Sequence, residues 1–230
     1  MSIAKGQYQP MKTVALLGKG SLAIRIAGYF VTPPEYRLVG VVPVLPEPEW
    51  SQSLQAWSRA AGAPLFEHHR DLPSGIDLVV SCFYDRILGA AFIARQKRVI
   101  NLHNGPLPKY RGVNPINWAL KNGEREHGVT IHEITPGIDD GPILGQMRYP
   151  IDPERDEVRD VYARALDFGW LLFEDVIPRI DRIRPVAQDD AEATYYSKAD
   201  YPRLGDRQSW TRAEAQVIAG DEAGLSGVRS

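Results

Sequence analysis

The stretch Lys12 to Phe30, KTVALLGKGSLAIRIAGYF, decides the fold. Lys12 to Leu17 is an apolar run that ends at Gly18, and from Ser21 to Phe30 the residues Leu22, Ile26 and Tyr29 recur at helical spacing. This order predicts strand, turn, helix. Tyr36 to Val44 is a second apolar run, Leu54 to Ala61 a short helix, and Ile76 to Phe83 a strand apolar enough for burial on both faces. Alternation of this kind predicts an α/β fold, a mostly parallel sheet flanked by helices.

Further along, Leu88 to Ala94 reads as a helical piece and Arg98 to Leu102 as a strand, followed by a stretch rich in Pro and Gly, Asn104 to Pro115. Irregular backbone just after a parallel strand is where such sheets place their ligands. Pro115 to Asn122 predicts a helix, Gly128 to Ile134 and Ile143 to Tyr149 predict strands, and Asp156 to Ile180 is the longest amphipathic helix candidate. The expected division is a core over residues 1–185, a short C-terminal extension for substrate binding or dimerisation over 186–218, and a fraying tail over 219–230.

The 230 residues are 43% hydrophobic and 24% charged, with a formal net charge of -2, so the chain has no electrostatic footprint for gripping a polyanion. Nucleic acid is not an expected partner. The one cysteine, Cys82, lies in an apolar run and reads as a buried small hydrophobe; with no second thiol, an internal disulfide is impossible and a reducing compartment fits. Met1 to Lys12 is polar and Val14 to Leu17 is too short for a signal or membrane helix, so the expectation is a cytoplasmic protein without a membrane partner.

Gly18, Gly20 and Ala23 satisfy G-x-G-x-x-A between a strand and a helix, the outline of a dinucleotide site. The acidic residue that should hold the ribose is missing, because Val41 to Pro46 contains only Val, Leu and Pro, so NAD is not expected. Two readings of the turn stay open. Lys19 and Ser21 could face a substrate phosphate, or the glycines serve only a tight turn and close helix packing.

Asn101 and His103 stand two apart at a strand end, so their side chains share a face. An acyl transfer to an amine passes through a tetrahedral carbon bearing an oxyanion, which an amide N–H and an imidazole can stabilise while managing the proton. Asp139, in the turn Gly137-Ile138-Asp139-Asp140-Gly141-Pro142, is placed to raise the imidazole's pKa and to pass protons through a water. Turn chemistry alone also explains Asp139 and Asp140. His68, His69, His127 and His132 read as structural. His132-Glu133 lacks a second histidine at metal-ligand spacing, so no metal is expected.

The run Asn101 to Gly112, NLHNGPLPKYRG, followed by GVTIHEI from Gly128 and GIDDGPIL from Gly137, resembles the folate-dependent formyltransferase family over roughly residues 12–185. The resemblance implies a Rossmann-like fold, 10-formyltetrahydrofolate as cosubstrate, and Asn101, His103 and Asp139 as the catalytic residues. It also implies that the pterin sits between Phe83 to Leu88 and Ile134 to Asp140. Tyr84, Arg86, Ile87, Leu88, Ile138 and Asp140 are therefore the cofactor-binding candidates. Asn104-Gly105 departs from the family, whose members commonly have Pro or Gly followed by Ser.

Three branches compete for the acceptor. The purine branch carries Gly-Ser-Asn in the first loop, where this chain has Gly20-Ser21-Leu22; the methionyl-tRNA branch carries a further basic C-terminal domain. The branch acting on nucleotide-linked amino sugars is the one this sequence most resembles, through GVTIHEI and Arg111 to Pro115. Lys19, Ser21, Tyr110, Arg111, Tyr195, Tyr196 and Lys198 are the substrate-binding candidates, the aromatic and basic ones suited to a base and a diphosphate. A β-hairpin over the core edge or a dimer contact is the alternative for the aromatic segment, and a homodimer is what the family implies. A folate- or nucleotide-binding sensor is the non-enzyme alternative.

Overall fold

The computed structural model describes residues 11–212 and 214, which fall into two compact units divided between Asn101 and Leu102. The first unit contains β1 (Lys12–Gly18), α1 (Gly20–Val31), β2 (Tyr36–Pro43), α2 (Leu54–Ala60), β3 (Leu78–Cys82), α3 (Ala90–Ala94) and the start of β4 (Val99–His103). β1 pairs in parallel with both β2 and β3. Val14, Ala15, Leu16 and Leu17 are wholly buried, as an apolar strand between two neighbours requires. α1 buries Leu22, Ala23, Ile26, Ala27 and Phe30, one stripe of an amphipathic helix.

The front glycines have a full structural account. A Cβ on Gly18 would lie 2.2 Å from the carbonyl oxygen of Cys82, so only glycine lets β1 and β3 close at this point. Gly20 opens α1 with φ 76°, in the region that favours glycine.

The second unit contains β5 (Arg111–Gly112), α4 (Pro115–Lys121), β6 (Glu126–Glu133), β7 (Ile143–Pro150), α5 (Val158–Val176) and β8 (Tyr195–Tyr196). β6 and β7 are antiparallel, and α5 lies against them. That contact is close: a Cβ on Gly145 would meet Val176 at 2.8 Å and Leu172 at 3.1 Å. α5 opens with a reciprocal cap between Glu157 and Asp160 that satisfies two of its orphan N–H groups. The strand order of the main, mostly parallel sheet is β2-β1-β3-β4-β6-β7.

Most elements match the expected ones within two residues; the differences have local causes. α5 gives way at Val176 to a 3₁₀ turn, Ile177–Arg179, because Pro178 has no N–H to continue the helix. The aromatic segment forms no hairpin. β8 instead pairs in parallel with β5, and 3₁₀ turns follow over Lys198–Gln208. The expected tail, 219–230, and residues 215–218 lie outside the described residues. Among the described residues, no helix is long and apolar enough to cross a membrane.

Candidate active site

β4 carries Asn101 and His103 at alternate positions. The loop that follows is fixed by side chains of β6 and β7. Thr130 Oγ1 donates to the carbonyl of Gly105 at 2.7 Å and accepts from the N–H of Leu107, and Gln146 Nε2 donates to the carbonyl of Leu107 at 2.7 Å. From the C-terminal side, Thr194 Oγ1 accepts from the N–H of Tyr110 at 2.7 Å.

Tyr110, held at φ 64°, aims its carbonyl at Nε2 of His103 across 2.8 Å. A carbonyl only accepts, so Nε2 carries the proton and donates. The other ring nitrogen, Nδ1, is 3.5 Å from Oδ2 of Asp139. His132 is used in the same way: its Nδ1 donates to the carbonyl of Glu133 at 2.8 Å, and its Nε2 lies 3.4 Å from Oδ1 of Asp139. The Asp139 carboxylate therefore sits between two imidazoles, and the N–H of Gly112 donates to its Oδ2 at 2.9 Å.

The electrostatics add burial to the expected effect of Asp139 on His103. Asp139 does pull the His103 pKa upward, but burial outweighs it and His132 adds to the downward push, so the pKa lies below the usual value. For Asp139, burial pushes the carboxyl up, yet His103, His132 and the Gly112 N–H together hold it well below the ordinary carboxylate range. The arrangement is a carboxylate facing one ring nitrogen of each of two imidazoles. A proton arriving on His103 Nδ1 is stabilised where it lands.

His132 was expected to be structural; it is buried and at the carboxylate. The sequence hides this because a histidine within a strand carries no mark of the carboxylate that folding brings to it. Asp139 itself has φ 51°, a conformation that Asp tolerates better than most residues.

The other candidates fall into several groups. In the first unit, Lys19 is half-buried and Ser21 exposed, both just past β1, and the N–H of Lys19 donates to the carbonyl of Cys82 at the end of β3. Tyr84 hydrogen-bonds through its hydroxyl to Nδ1 of His69 at 3.1 Å, and Arg86 donates to the carbonyls of Glu67 and Leu45. Ile87 is 71% exposed, whereas Leu88 is buried. In the second unit, Ile138 is half-buried, and exposed Asp140 turns its carboxylate back to accept from Thr135 Oγ1.

Tyr110 is buried and donates to Glu124 at 2.7 Å. Tyr196 stacks on Trp118, with ring centroids 4.1 Å apart, so one of its faces is already covered. Arg111 spends its guanidinium on Gln188 and Asp190. Of the aromatic and basic candidates in the C-terminal segment, Tyr195 and Lys198 are the exposed ones.

Gly105 supports His103 by having no side chain. A Cβ there would stand 2.9 Å from His103 Nε2 and 3.1 Å from Cβ of Pro115. Gly105→Ala is expected to turn the ring off the Tyr110 carbonyl and to lower kcat about 10- to 100-fold, the order of loss for a small misplacement of a catalytic group. A crystal structure of the variant with the ring unmoved, together with wild-type kcat, would contradict this.

His127, wholly buried, donates from Nε2 to the carbonyl of Asn104 at 3.0 Å, and burial holds its pKa down to about 4. The unfolded chain binds this proton below about 6.5, so stability from this group is full above that pH and is lost as the pH falls toward 4. His103, depressed for the same reason, acts in the same direction. Replacing His127 by Gln is expected to remove about 2 kcal/mol of the stability difference between pH 7 and pH 5, measured by urea unfolding at both pH values.

Residues 66–177 match the family model described as Formyl transferase. Over 123 residues the chain is 37% identical to a methionyl-tRNA formyltransferase of Deinococcus radiodurans, covering 53% of this chain and 38% of that protein. It is 35% identical over 132 residues to the bifunctional polymyxin resistance protein ArnA of Wigglesworthia glossinidia brevipalpis, covering 56% of this chain and 20% of that one. The chain thus spans well under half the length of these curated relatives. Among solved structures, an N-formyltransferase from Helicobacter canadensis in complex with folinic acid and dTDP-3-aminofucose is similar with a TM-score of 0.72 and 27% identity, over 83% of this chain and 72% of that one.

Proposed function

We propose that this chain moves a formyl group from 10-formyltetrahydrofolate to the amine of a nucleotide-linked amino sugar. The observation that carries the reaction is the Asp139 carboxylate held between His103 and His132, with the His103 ring fixed by the Tyr110 carbonyl. The neutral amine attacks the formyl carbon, forming the new C–N bond and placing negative charge on the formyl oxygen. Asn101 stabilises that oxyanion with its amide N–H. His103 takes the proton released by the amine on Nδ1, beside Asp139. The proton then passes to N10 of the folate as the old C–N bond breaks, leaving the formamide and tetrahydrofolate. No covalent enzyme intermediate is needed.

The folate candidates are Tyr84, Arg86, Ile87 and Leu88 in the first unit and, separately, Ile138 and Asp140 in the second, much of the recognition falling to backbone groups. Exposed Ile87 suits an apolar ring face. The sugar-nucleotide acceptor is supported by the likeness to the Helicobacter canadensis enzyme and by Leu22 at the position where a ribonucleotide-binding loop has asparagine. A methionyl-tRNA acceptor is the second reading, favoured by the Deinococcus radiodurans relative. A panel assay decides: 10-formyltetrahydrofolate with dTDP-, GDP- and UDP-linked amino sugars, glycinamide ribonucleotide and methionyl-tRNA. Turnover confined to either of the last two overturns the acceptor choice.

A further inference from the structure

The geometry points to Gln188 as a positioning residue for Asp139, acting with Arg111 as a clamp on the turn that presents the carboxylate. Gln188 lies beyond the segment matched by the family model, in the connection after α5. Its Nε2 donates to two carbonyls of the aspartate turn, those of Asp139 and Gly141, each at 2.8 Å. Its Oε1 accepts from Nε and Nη2 of Arg111 at 3.0 and 2.8 Å. The side-chain amide is thus fully used, two hydrogens and two acceptor sites.

Each end of this connection is pinned. An antiparallel bridge between Ile143 and Val186 fixes the chain two residues before Gln188, with N–H to carbonyl distances of 2.7 and 2.9 Å. Arg111 also pairs with Asp190 at 2.8 Å, and its neighbour Gly112 gives Asp139 Oδ2 its backbone donor. The backbone of Asp139 is in the left-handed region, which persists in a non-glycine residue where surrounding contacts over-determine it. Gln188 holds the carbonyl of that residue, and Arg111 holds both Gln188 and the strand that reaches the carboxylate. Freeing the turn lets Asp139 relax away from His103 Nδ1.

The inference rests on the formyl-transfer reading, and the test separates the two. Gln188→Ala and the near-isosteric Gln188→Glu, which lacks both N–H donors, are compared with wild type for kcat, for the Michaelis constants of the formyl donor and the accepting sugar nucleotide, for Tm, and for the titration of His103 by imidazole NMR. Both variants are expected to lose about 10- to 100-fold in kcat with each Michaelis constant within about threefold of wild type. The His103 midpoint should fall, because a displaced carboxylate no longer pulls it up. Wild-type kcat in either variant, or a loss matched by the fraction unfolded, overturns the clamp. If wild type itself transfers no formyl group, the function fails, and the NMR titration alone decides the clamp: an unshifted midpoint overturns it.

Discussion

Asp139→Asn is expected to lower formyl transfer about 100- to 10,000-fold, the range set by removal of a group that manages a proton in the transition state. The substitution keeps the shape and an acceptor for the Gly112 N–H, which now holds Oδ2 at 2.9 Å. The chain should fold. What is lost is the charge facing His103 Nδ1 and His132 Nε2 at 3.5 and 3.4 Å. Without it, a proton taken up by His103 during the reaction has no counter-charge in a buried site, and such a site is where the missing interaction costs most. The free-enzyme pKa of His103 should fall further, since the largest remaining influence is burial. Comparing kcat and the imidazole titration of variant and wild type checks both points; turnover within a few-fold of wild type would contradict the role.

The second large effect belongs to the oxyanion. Asn101→Ala is expected to reduce turnover about 100- to 1000-fold, about 2.7–4 kcal/mol, the typical cost of losing one oxyanion donor. Asn101 stands on β4 two residues before His103, so strand alternation gives the two side chains a common face. The loss should appear in kcat with the donor's Michaelis constant little changed, because the interaction strengthens only as the oxyanion forms. A variant that raises that constant alone would make Asn101 a binding residue.

Much of the fold was legible in the chain. The apolar runs at Lys12, Tyr36 and Leu78 are strands because burial on both faces demands continuous apolar sequence. Gly18 and Gly20 were ambiguous between ligand and packing roles, and the 2.2 Å approach of Cys82 supplies a packing reason that needed a strand partner to be seen. At the site, residues close in sequence were readable and long-range ones were not. Asn101 and His103 share one strand, and the Asp139 turn has a recognisable pattern. Tyr110 shows a phenol ring in the sequence, whereas its contribution to His103 is a backbone carbonyl, which side-chain identity does not reveal.

His132 carries no sign in the sequence of the carboxylate it meets, and Gln188 is hidden by its 49-residue separation from Asp139. The C-terminal aromatics were read by composition as a ligand platform. In the structure this segment also braces the loop: the carbonyls of Thr194 and Tyr196 accept from the N–H groups of Arg111 and Val113, both at 2.9 Å. The upward pull of Asp139 on His103 is legible in the sequence, whereas the burial that outweighs it is not.

The most direct test of the reaction is a mass balance. The protein is incubated with 10-formyltetrahydrofolate and a dTDP-linked amino sugar, with tetrahydrofolate followed by absorbance and the sugar nucleotide by mass spectrometry. Equal amounts of tetrahydrofolate and N-formylated sugar nucleotide, both suppressed in Asn101→Ala and Asp139→Asn, are the predicted result. Consumption of the donor to tetrahydrofolate and free formate with no formamide, at the same rate in wild type and both variants, would contradict it.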